Sequence, residues 1–251
     1  MMSDFIVING TLTDRPPAAP DEPYVYQRLH VSDGRPLDVA AHVDAAARAA
    51  RGIFGVDFGA DACRTDALCR EMLRRNRYPA GVSSCIDLRV YASGEARWSA
   101  GEIFVGRGLV LRALRPEALV VSYGLPFGEA PTSAREAACR LAAAAARRLG
   151  CGSVVRCDEH GTALTADDAP LFVVRGERVY TSPTVGSVER DRAMRAVRAS
   201  GLPLREVPVL REHLKVVDEA FYCDCRGITS LAGCDGVPYM DIMTRRVARY
   251  L

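Results

Sequence analysis

Polar side chains capable of binding an anion share one face of a strand near the start of the chain. The segment YVYQRLHV alternates along a strand, so Tyr24, Tyr26, Arg28 and His30 point to one side. An arginine in such a place suits two-point binding of a carboxylate or a phosphate. A histidine on the same face is a candidate proton carrier where its ring reaches the ligand.

A second strand carries the complementary groups. The segment SSCIDLRVYASG places Asp87, Arg89 and Tyr91 on one face. We hypothesise that Arg28 and Arg89 hold a small anionic substrate, with Asp87 as general acid or base or as a partner of one arginine. The alternative is that Arg28, Asp87 and Arg89 form a structural ion-pair cluster.

A Cys-x-Cys pair near the end of the chain is the second chemical candidate. Cys223 and Cys225 flank Asp224, and alternation would turn both thiols to one side of a strand. A nucleophilic Cys225 needs a pKa lowered by nearby cations, and a base such as His30 close by. A zinc site with Cys234 is a weaker alternative, because paired C-x₂-C spacing is absent, and we predict no metal. Small buried cysteines in a core are the third possibility.

Composition excludes several classes of function. The chain has 251 residues and a formal net charge of +2, which gives no case for nucleic acid. No apolar run reaches the length of a membrane span, and the first residues do not read as a signal peptide. The nine cysteines are an odd number, which favours reduced thiols. We therefore expect a cytoplasmic protein without a membrane partner.

The order of elements predicts an α+β protein of two domains, 1–115 and 122–251. Ser133 and Glu136 form a capping box at the start of an alanine-rich helix, which Gly150 ends. A hairpin is expected to close at Arg175 and Gly176, and LREHLKVVDEA is expected to be a helix.

Three stretches in this order resemble a known family. They are YVYQRLHVSDGRPLDVAAHVDAAARAARGIFG, VVRCDEHGTALTADDAPLFVVRGERVYTSP and VDEAFYCDCRGITSLAGCDG. Their motifs resemble those of the class IV aminotransferases, which are pyridoxal phosphate (PLP) enzymes and include aminodeoxychorismate lyase. The resemblance implies a D-amino-acid aminotransferase-like fold with a small N-terminal α/β domain, a C-terminal pseudo-barrel domain, an active site between them and a homodimer. It also implies that the face with Tyr26 and Arg28 borders the substrate.

The positions that match the family's PLP contacts carry other residues. The resemblance places the cofactor lysine at or beside Pro131, and Lys215 is the only lysine among the 33 lysines and arginines. The positions of the other contacts are occupied here by Ala45, Thr165, Pro170, Ser187, Val188, Glu189 and Cys225. A glutamate at a helix N-terminus would repel a phosphate. From these residues we predict that the protein uses no cofactor and that PLP is absent.

Two hypotheses of different class follow. The first is a PLP-independent, lyase- or transferase-like enzyme of specialised metabolism, acting on a small amino-acid- or chorismate-like carboxylate. Elimination, rearrangement or condensation would use Asp87, His30 or Cys225, with Tyr26, Arg28, Arg89 and Cys223 binding the substrate. The second is a non-catalytic protein that binds a ligand or serves as a partner subunit. An ordered, convergent set of polar groups favours the first, and a collapsed ion-pair cluster favours the second.

Overall fold

The structure divides into two compact units. The computed structural model describes residues 5–104, 106–128, 130–184 and 186–251. Unit 1 comprises the described residues of Met1–Leu109 and Ala130–Ala134, and unit 2 those of Val110–Glu129 and Arg135–Leu251. The sequence placed the boundary at 115–122, several residues later than the end of the first segment of unit 1. The mixed α+β class predicted from the sequence is confirmed.

Unit 1 is built on a six-stranded sheet of order β2-β1-β6-β5-β3-β4, in which neighbouring strands are antiparallel. The strands are β1 (Phe5–Ile8), β2 (Thr11–Asp14), β3 (Tyr24–Ser32), β4 (Arg35–Pro36), β5 (Ser83–Tyr91) and β6 (Ala96–Phe104). Two helices accompany the sheet, α1 (Val39–Phe54) and α2 (Ala62–Arg75). The Asp61 carboxylate accepts a hydrogen bond of 2.7 Å from the Arg64 amide and so caps α2.

Alternation along β3 and β5 divides the two faces of this sheet. Val25 and Leu29 of β3 and Ile86 and Leu88 of β5 are buried in the unit 1 core, against residues of both helices such as Met72. The intervening positions carry the polar residues predicted to form a site. The period of two therefore gives unit 1 one apolar face and one polar face.

Unit 2 contains a larger sheet, with the path β17-β16-β8-β9-β10-β11-β14-β15-β7 and β12 and β13 attached beside β11. Its strands are β7 (Val110–Leu111), β8 (Glu117–Ser122), β9 (Ser153–Cys157), β10 (Ala163–Ala166), β11 (Ala169–Arg175), β12 (Arg178–Thr181), β13 (Leu204–Glu206), β14 (Glu219–Asp224), β15 (Gly227–Ser230), β16 (Gly233–Cys234) and β17 (Val237–Pro238). The expected hairpin forms, with Arg175 paired to Arg178 across its turn.

The remaining helices are α3 (Ser133–Arg148), α4 (Val188–Ala199) and α5 (Ile242–Ala248), and a short 3-10 helix spans Arg211–Lys215. The predicted alanine-rich helix is thus α3, and Gly150 follows it with φ +79°. The expected helix at 210–220 is reduced to the 3-10 turn, and β14 begins at Glu219. Two consecutive valines, Val216 and Val217, disfavour helix at this point.

Two apolar clusters form the unit 2 core. One surrounds Val155, Tyr222 and Leu231, and the other contains the parallel-stacked rings of Phe172 and Phe221, whose centroids are 5.2 Å apart. Of the residues of α3, only Arg135 and Ala146 are buried. The helix therefore contributes little apolar burial to unit 2. Within the described residues no helix is long and apolar enough to cross a membrane.

Candidate functional site

The register of β3 and β5 places four of the predicted site residues side by side. Tyr26 is paired with Arg89, and Arg28 with Asp87. The Arg28 Nε donates a hydrogen bond of 2.6 Å to the Asp87 Oδ1. The Arg89 guanidinium carbon lies 4.7 Å from the centre of the Tyr24 ring, a cation–π distance. We call these five residues the polar sheet face of unit 1.

The imidazole of His30 is turned into unit 1 instead of lying at this surface. Its side chain is buried, its Nε2 lies 3.2 Å from the Ser83 Oγ, and its ring stacks near Phe104. Ser83 Oγ also accepts a hydrogen bond of 2.8 Å from the Gly108 amide. Through Ser83, these contacts connect His30 of β3 to the segment around Gly108. They do not support the predicted role of His30 as a proton carrier.

The Cys-x-Cys pair lies in unit 2, and both thiols are buried. Cys223 belongs to the cluster around Phe172 and Ile228, where burial raises the pKa of its thiol well above the ordinary range. Cys225 follows β14 and is 6 % exposed. Burial thus makes Cys223 a poor nucleophile. The placement of Cys223 agrees with the third possibility raised from the sequence, a small buried residue in a core.

A cavity lies under α3 in unit 2, against the strands β8, β9 and β10. The space within it that a water-sized molecule can occupy is about 10 Å³, which is room for about one water molecule. Its lining is formed by Tyr123, Cys139, Ala142, Val154, Arg156, Thr165, Asp167 and Asp168. Six of these eight side chains are polar or ionisable, which is unusual for a space between a helix and a sheet.

Arg156 places a cation in the wall of this cavity. Along β9, Val155 and Cys157 enter the unit 2 core, so alternation turns Val154 and Arg156 toward the cavity. Arg156 is only 2 % exposed. Its guanidinium carbon lies 5.7 Å from the centre of the Tyr123 ring, and Nη1 lies 3.5 Å from the Tyr123 carbonyl oxygen.

Two aspartates form the turn between β10 and β11 at the same cavity. Asp167 and Asp168 have φ values of +46° and +73°, and Ala166 pairs with Ala169 across them. Consecutive left-handed residues are typical of a two-residue type I′ hairpin, in which aspartate is tolerated. The turn therefore presents two carboxyl groups at one edge of the cavity.

Both carboxylates are tightly held. Asp167 accepts hydrogen bonds from the Ser153 hydroxyl (2.8 Å), the Val154 amide (2.9 Å) and the Tyr222 hydroxyl (3.0 Å). Asp168 forms an ion pair with Arg135, whose Nη2 also donates to the Asp168 carbonyl oxygen at 3.1 Å. The negative charge at this edge is thus balanced by donors within unit 2.

Two protonated groups complete the cavity. The Tyr123 hydroxyl and the Cys139 Sγ are 3.8 Å apart. Burial raises the pKa of the Cys139 thiol to about 11, and the nearby Asp168 acts in the same direction. Burial and Cys139 together raise the pKa of Tyr123 as well. Both side chains are neutral near pH 7 and can donate hydrogen bonds.

The sequence analysis missed Tyr123, Cys139 and Arg156. The signal for Arg156 was present, since it is the one charged residue of the strand segment SVVRC, all five residues of which are buried. A single arginine in such a strand indicates a polar space on one side. The described residues contain no group of three or more histidine, cysteine, aspartate or glutamate side chains placed to bind a metal.

Comparison with solved structures shows which known proteins share this fold. The branched-chain aminotransferase of the archaeon Thermoproteus uzoniensis, with norvaline, has a TM-score of 0.83 and 19 % identity, over 98 % of this chain and 92 % of that one. The branched-chain amino acid aminotransferase of Escherichia coli has a TM-score of 0.79 and 18 % identity, over 98 % and 92 %. An aminotransferase of Brucella abortus bound to PLP has a TM-score of 0.81 and 16 % identity, over 98 % and 96 %. No curated protein matches the sequence.

These neighbours correct one prediction. We expected no cofactor, and that expectation is contradicted by structures of the same fold. The Brucella abortus enzyme holds PLP, and another branched-chain amino acid aminotransferase of this fold, matched over 99 % of this chain, holds pyridoxamine 5'-phosphate. The fold therefore points to PLP.

The N-terminus of α4, which the resemblance assigns to the phosphate, is occupied by the chain's own side chains. The Ser187 Oγ accepts a hydrogen bond of 3.1 Å from the Arg190 amide. The Glu189 carboxylate interacts with its own backbone amide and with Ser187, and burial raises its pKa above the usual value. A side chain that already caps the helix with a carboxyl group does not fit a phosphate there.

The amino group needed for a covalent link is not in the cavity either. Lys215 ends the 3-10 helix Arg211–Lys215 and is exposed, and the Pro131 carbonyl oxygen accepts a hydrogen bond of 2.9 Å from the Tyr26 amide. Thr165, which occupies one of the positions that the resemblance assigns to PLP contacts, is buried in the cavity wall. These residues do not fit PLP in the arrangement that the resemblance implies.

The family itself is shown by a match over most of the chain. The sequence model of the family described as amino-transferase class IV matches residues 25–230, a range that includes the polar sheet face from Tyr26 onward, the cavity and the Cys-x-Cys pair. The order of motifs, the fold and this match agree, and the chain belongs to the class IV aminotransferase family.

Proposed function

We propose that the protein is an enzyme acting on a small carboxylated molecule, of the amino-acid or chorismate type, by proton transfer in an elimination, rearrangement or condensation. The observation that carries the proposal is the polar sheet face of unit 1, where Arg28, Asp87 and Arg89 meet at adjacent positions. Guanidinium groups bind carboxylates through two parallel hydrogen bonds. A face with two of them suits a substrate with one or two carboxylates.

Each residue of the face has a stated role in this proposal. Arg89, stacked on Tyr24, holds the substrate carboxylate, because the ring fixes the plane of the guanidinium. Tyr26 lies opposite Arg89 and contacts the bound molecule. Asp87 is the acid–base group, and Arg28 orients it through the contact of 2.6 Å. His30, Cys223 and Cys225 have no part in this version, because all three are buried.

A second candidate function is favoured by the same ion pair. Arg28 and Asp87 form an ion pair with each other, as they would in a structural cluster. A protein that binds a carboxylate without turnover, or that serves as a partner subunit, needs only the binding residues. The resemblance supports a homodimer, and we propose this oligomeric state, which sedimentation tests. We also propose that the protein acts in specialised metabolism in the cytoplasm. Cell fractionation tests the location.

The test combines turnover with binding. The purified protein, with and without added PLP, is incubated with amino acids, 2-oxo acids and chorismate, and products are followed by mass spectrometry. Arg89→Gln is expected to weaken carboxylate binding about tenfold, the value of a hydrogen-bonded charge contact. Arg51→Gln is the matched control, because Arg51 pairs with Asp57 on an exposed part of the same unit.

Asp87→Asn separates the two candidates. Lost turnover with retained binding supports the enzyme, and binding without turnover in the unaltered protein supports the second candidate. Equal effects of Arg89→Gln and Arg51→Gln would refute the polar sheet face as the binding surface.

A further inference from the structure

We propose that residues 16–23, a proline-rich segment that we call the strap, form one wall of the carboxylate site on the polar sheet face. Arg97 holds the strap in place and is, in this proposal, a residue that determines the size of the substrate. The inference rests on the proposed function, because it concerns the same face of the sheet in unit 1. The strap lies in the connection from β2 to β3.

The order of the strands requires this connection to cross the sheet. β2 lies at one edge, and β1, β6 and β5 lie between it and β3. Neighbouring strands are about 4.8 Å apart, so the chain travels roughly 19 Å between the end of β2 and the start of β3. The apolar face is packed against residues of α1 and α2. The polar face is therefore the side on which the connection has room.

The hydrogen bonds of Arg97 fix the place of the crossing. Its two neighbours along β6 belong to the apolar core, so Arg97 points to the polar face. It is paired directly with Arg89 in the register of β5 and β6. Its Nη1 and Nη2 donate hydrogen bonds of 2.9 Å to the carbonyl oxygens of Pro17 and Ala18, respectively. The strap therefore passes over β6, beside the position of Arg89.

The guanidinium of Arg97 is directed at the strap and not at a ligand. Arg97 is 8 % exposed, and its Nε donates to the carboxylate of Glu95. Two arginines that lie directly opposite each other on neighbouring strands repel, and Glu95 compensates the charge of one of them. Arg97 thus acts as the support of the wall, while the binding role of the proposed function stays with Arg89.

The far end of the strap is attached to the turn between β5 and β6. The Glu22 carboxylate accepts a hydrogen bond of 2.8 Å from the Ser93 amide, and the Pro23 carbonyl oxygen accepts one of 2.9 Å from the Ala92 amide. Four of the eight residues of the strap are prolines, whose fixed φ restricts the chain. A stiff segment that is held at both ends can serve as a wall.

The wall limits the space on one side of Arg89. Directly paired residues on neighbouring strands have Cβ atoms about 4.5–5.5 Å apart, so the Arg97 side chain and the carbonyl groups bonded to it occupy the adjacent position. A molecule held at Arg89 can extend along β5 toward Asp87, and the strap blocks it toward β6. We therefore expect a compact acid to bind more tightly than one with a bulky group near its carboxylate.

The experiment compares two 2-oxo acids, pyruvate and phenylpyruvate, by calorimetry on the full chain. Pyruvate is expected to bind the unaltered protein at least about tenfold more tightly than phenylpyruvate. Arg97→Gln removes the donors to both carbonyl groups and is expected to reduce this preference about tenfold. Arg97→Lys keeps the charge without the planar fork of donors, and it is expected to behave like Arg97→Gln.

Controls separate a wall from a general loss of structure. Arg64→Gln is the matched control, because exposed Arg64 also donates to a main-chain carbonyl group of unit 1, and the preference is expected to stay unchanged. Pro16→Gly combined with Pro17→Gly loosens the strap but leaves Arg97 in place, and it is expected to reduce the preference as well. This variant decides where Arg97→Gln does not fold.

The possible results distinguish this inference from the proposed function. Equal weakening of both acids by Arg97→Gln, with an unchanged preference, would show a purely structural role and overturn the inference alone. Equal affinity of the unaltered protein for both acids would also overturn it. Absence of saturable binding, or binding that Arg89→Gln does not weaken, would refute the proposed site and this inference together.

Discussion

The polar sheet face of unit 1 and the cavity of unit 2 hold their charges in different ways. On the sheet face, Arg28 and Asp87 face each other across two strands, and the arginine side chain is 47 % exposed. In the cavity, Arg156 is almost fully buried, and the aspartates are held by backbone, hydroxyl and guanidinium donors. The first arrangement depends on strand register, and the second depends on packing and on a left-handed turn. We therefore expect the contacts of the cavity to contribute more to stability than those of the face.

The largest expected difference is in stability. Asp167→Ala removes the acceptor of three hydrogen bonds and leaves an alanine at φ +46°, so we expect a loss of about 2–3 kcal/mol of unfolding free energy. Asp87→Ala is expected to lose at most about 1 kcal/mol, because its partner is solvated. Urea denaturation of both variants measures the two values. Similar losses would contradict the expectation that the cavity contacts contribute more to stability.

A second test compares the two ion pairs. Arg135 and Asp168 have side chains that are 10 % and 25 % exposed, against 47 % and 23 % for Arg28 and Asp87. Double-mutant cycles are expected to give a coupling of about 2 kcal/mol for the first pair and below about 1 kcal/mol for the second. Added salt should reduce the second coupling more strongly. The reverse order would contradict the comparison.

A third test concerns the thiol in the cavity. With a pKa of about 11, Cys139 has roughly 200-fold less thiolate at pH 8 than an ordinary thiol. The greater nucleophilicity of a basic thiolate offsets part of this, so alkylation is expected to be about 10- to 20-fold slower.

The measurement is iodoacetamide labelling resolved by mass spectrometry. The rate of alkylation of Cys139 is expected to rise with pH up to about pH 11. The reason is that burial raises the pKa of this thiol to about 11, so the reactive thiolate forms only as the pH approaches that value. Exposed Cys63 provides the reference, and Cys139→Ser confirms the assignment of the peptide. Rapid labelling of Cys139 at pH 8 would show that the cavity does not keep this thiol neutral.

The contrast between the polar sheet face and the cavity also explains which features the sequence could predict. Alternation along YVYQRLHV and SSCIDLRV placed Tyr26, Arg28, Asp87 and Arg89 on one face, and the register of β3 and β5 agrees with it. The order of motifs led to the family, which the match over residues 25–230 confirms. The alternation of side chains along a strand and the order of motifs can both be observed in a single sequence.

The cavity could not be predicted in this way. It is formed by residues distant along the chain, from Tyr123 to Asp168, and by a helix that buries little of its own surface. The environment of His30 was also hidden, because its burial depends on Phe104 and Ser83. Alternation assigns a residue to a face but does not reveal what covers that face.

The expectation about the cofactor failed for a different reason. Mismatches at positions 131, 165 and 189 concern single contacts and do not exclude PLP from the whole protein. Structures of the same fold hold PLP or pyridoxamine 5'-phosphate, so the fold has to be tested with PLP itself. Lys215 is the natural probe, because no other lysine side chain exists in the chain.

The smallest expected effect is that of Lys215→Arg on PLP affinity. Lys215 is exposed at the end of a 3-10 helix and does not line the cavity, so we expect the affinity for PLP to change less than about twofold. Any lysine adduct trapped by borohydride must map to Lys215 and disappear in the variant. Equilibrium dialysis and intact-mass analysis measure both quantities. Loss of PLP affinity in Lys215→Arg, with Arg211→Gln unchanged, would instead make Lys215 the anchor of PLP.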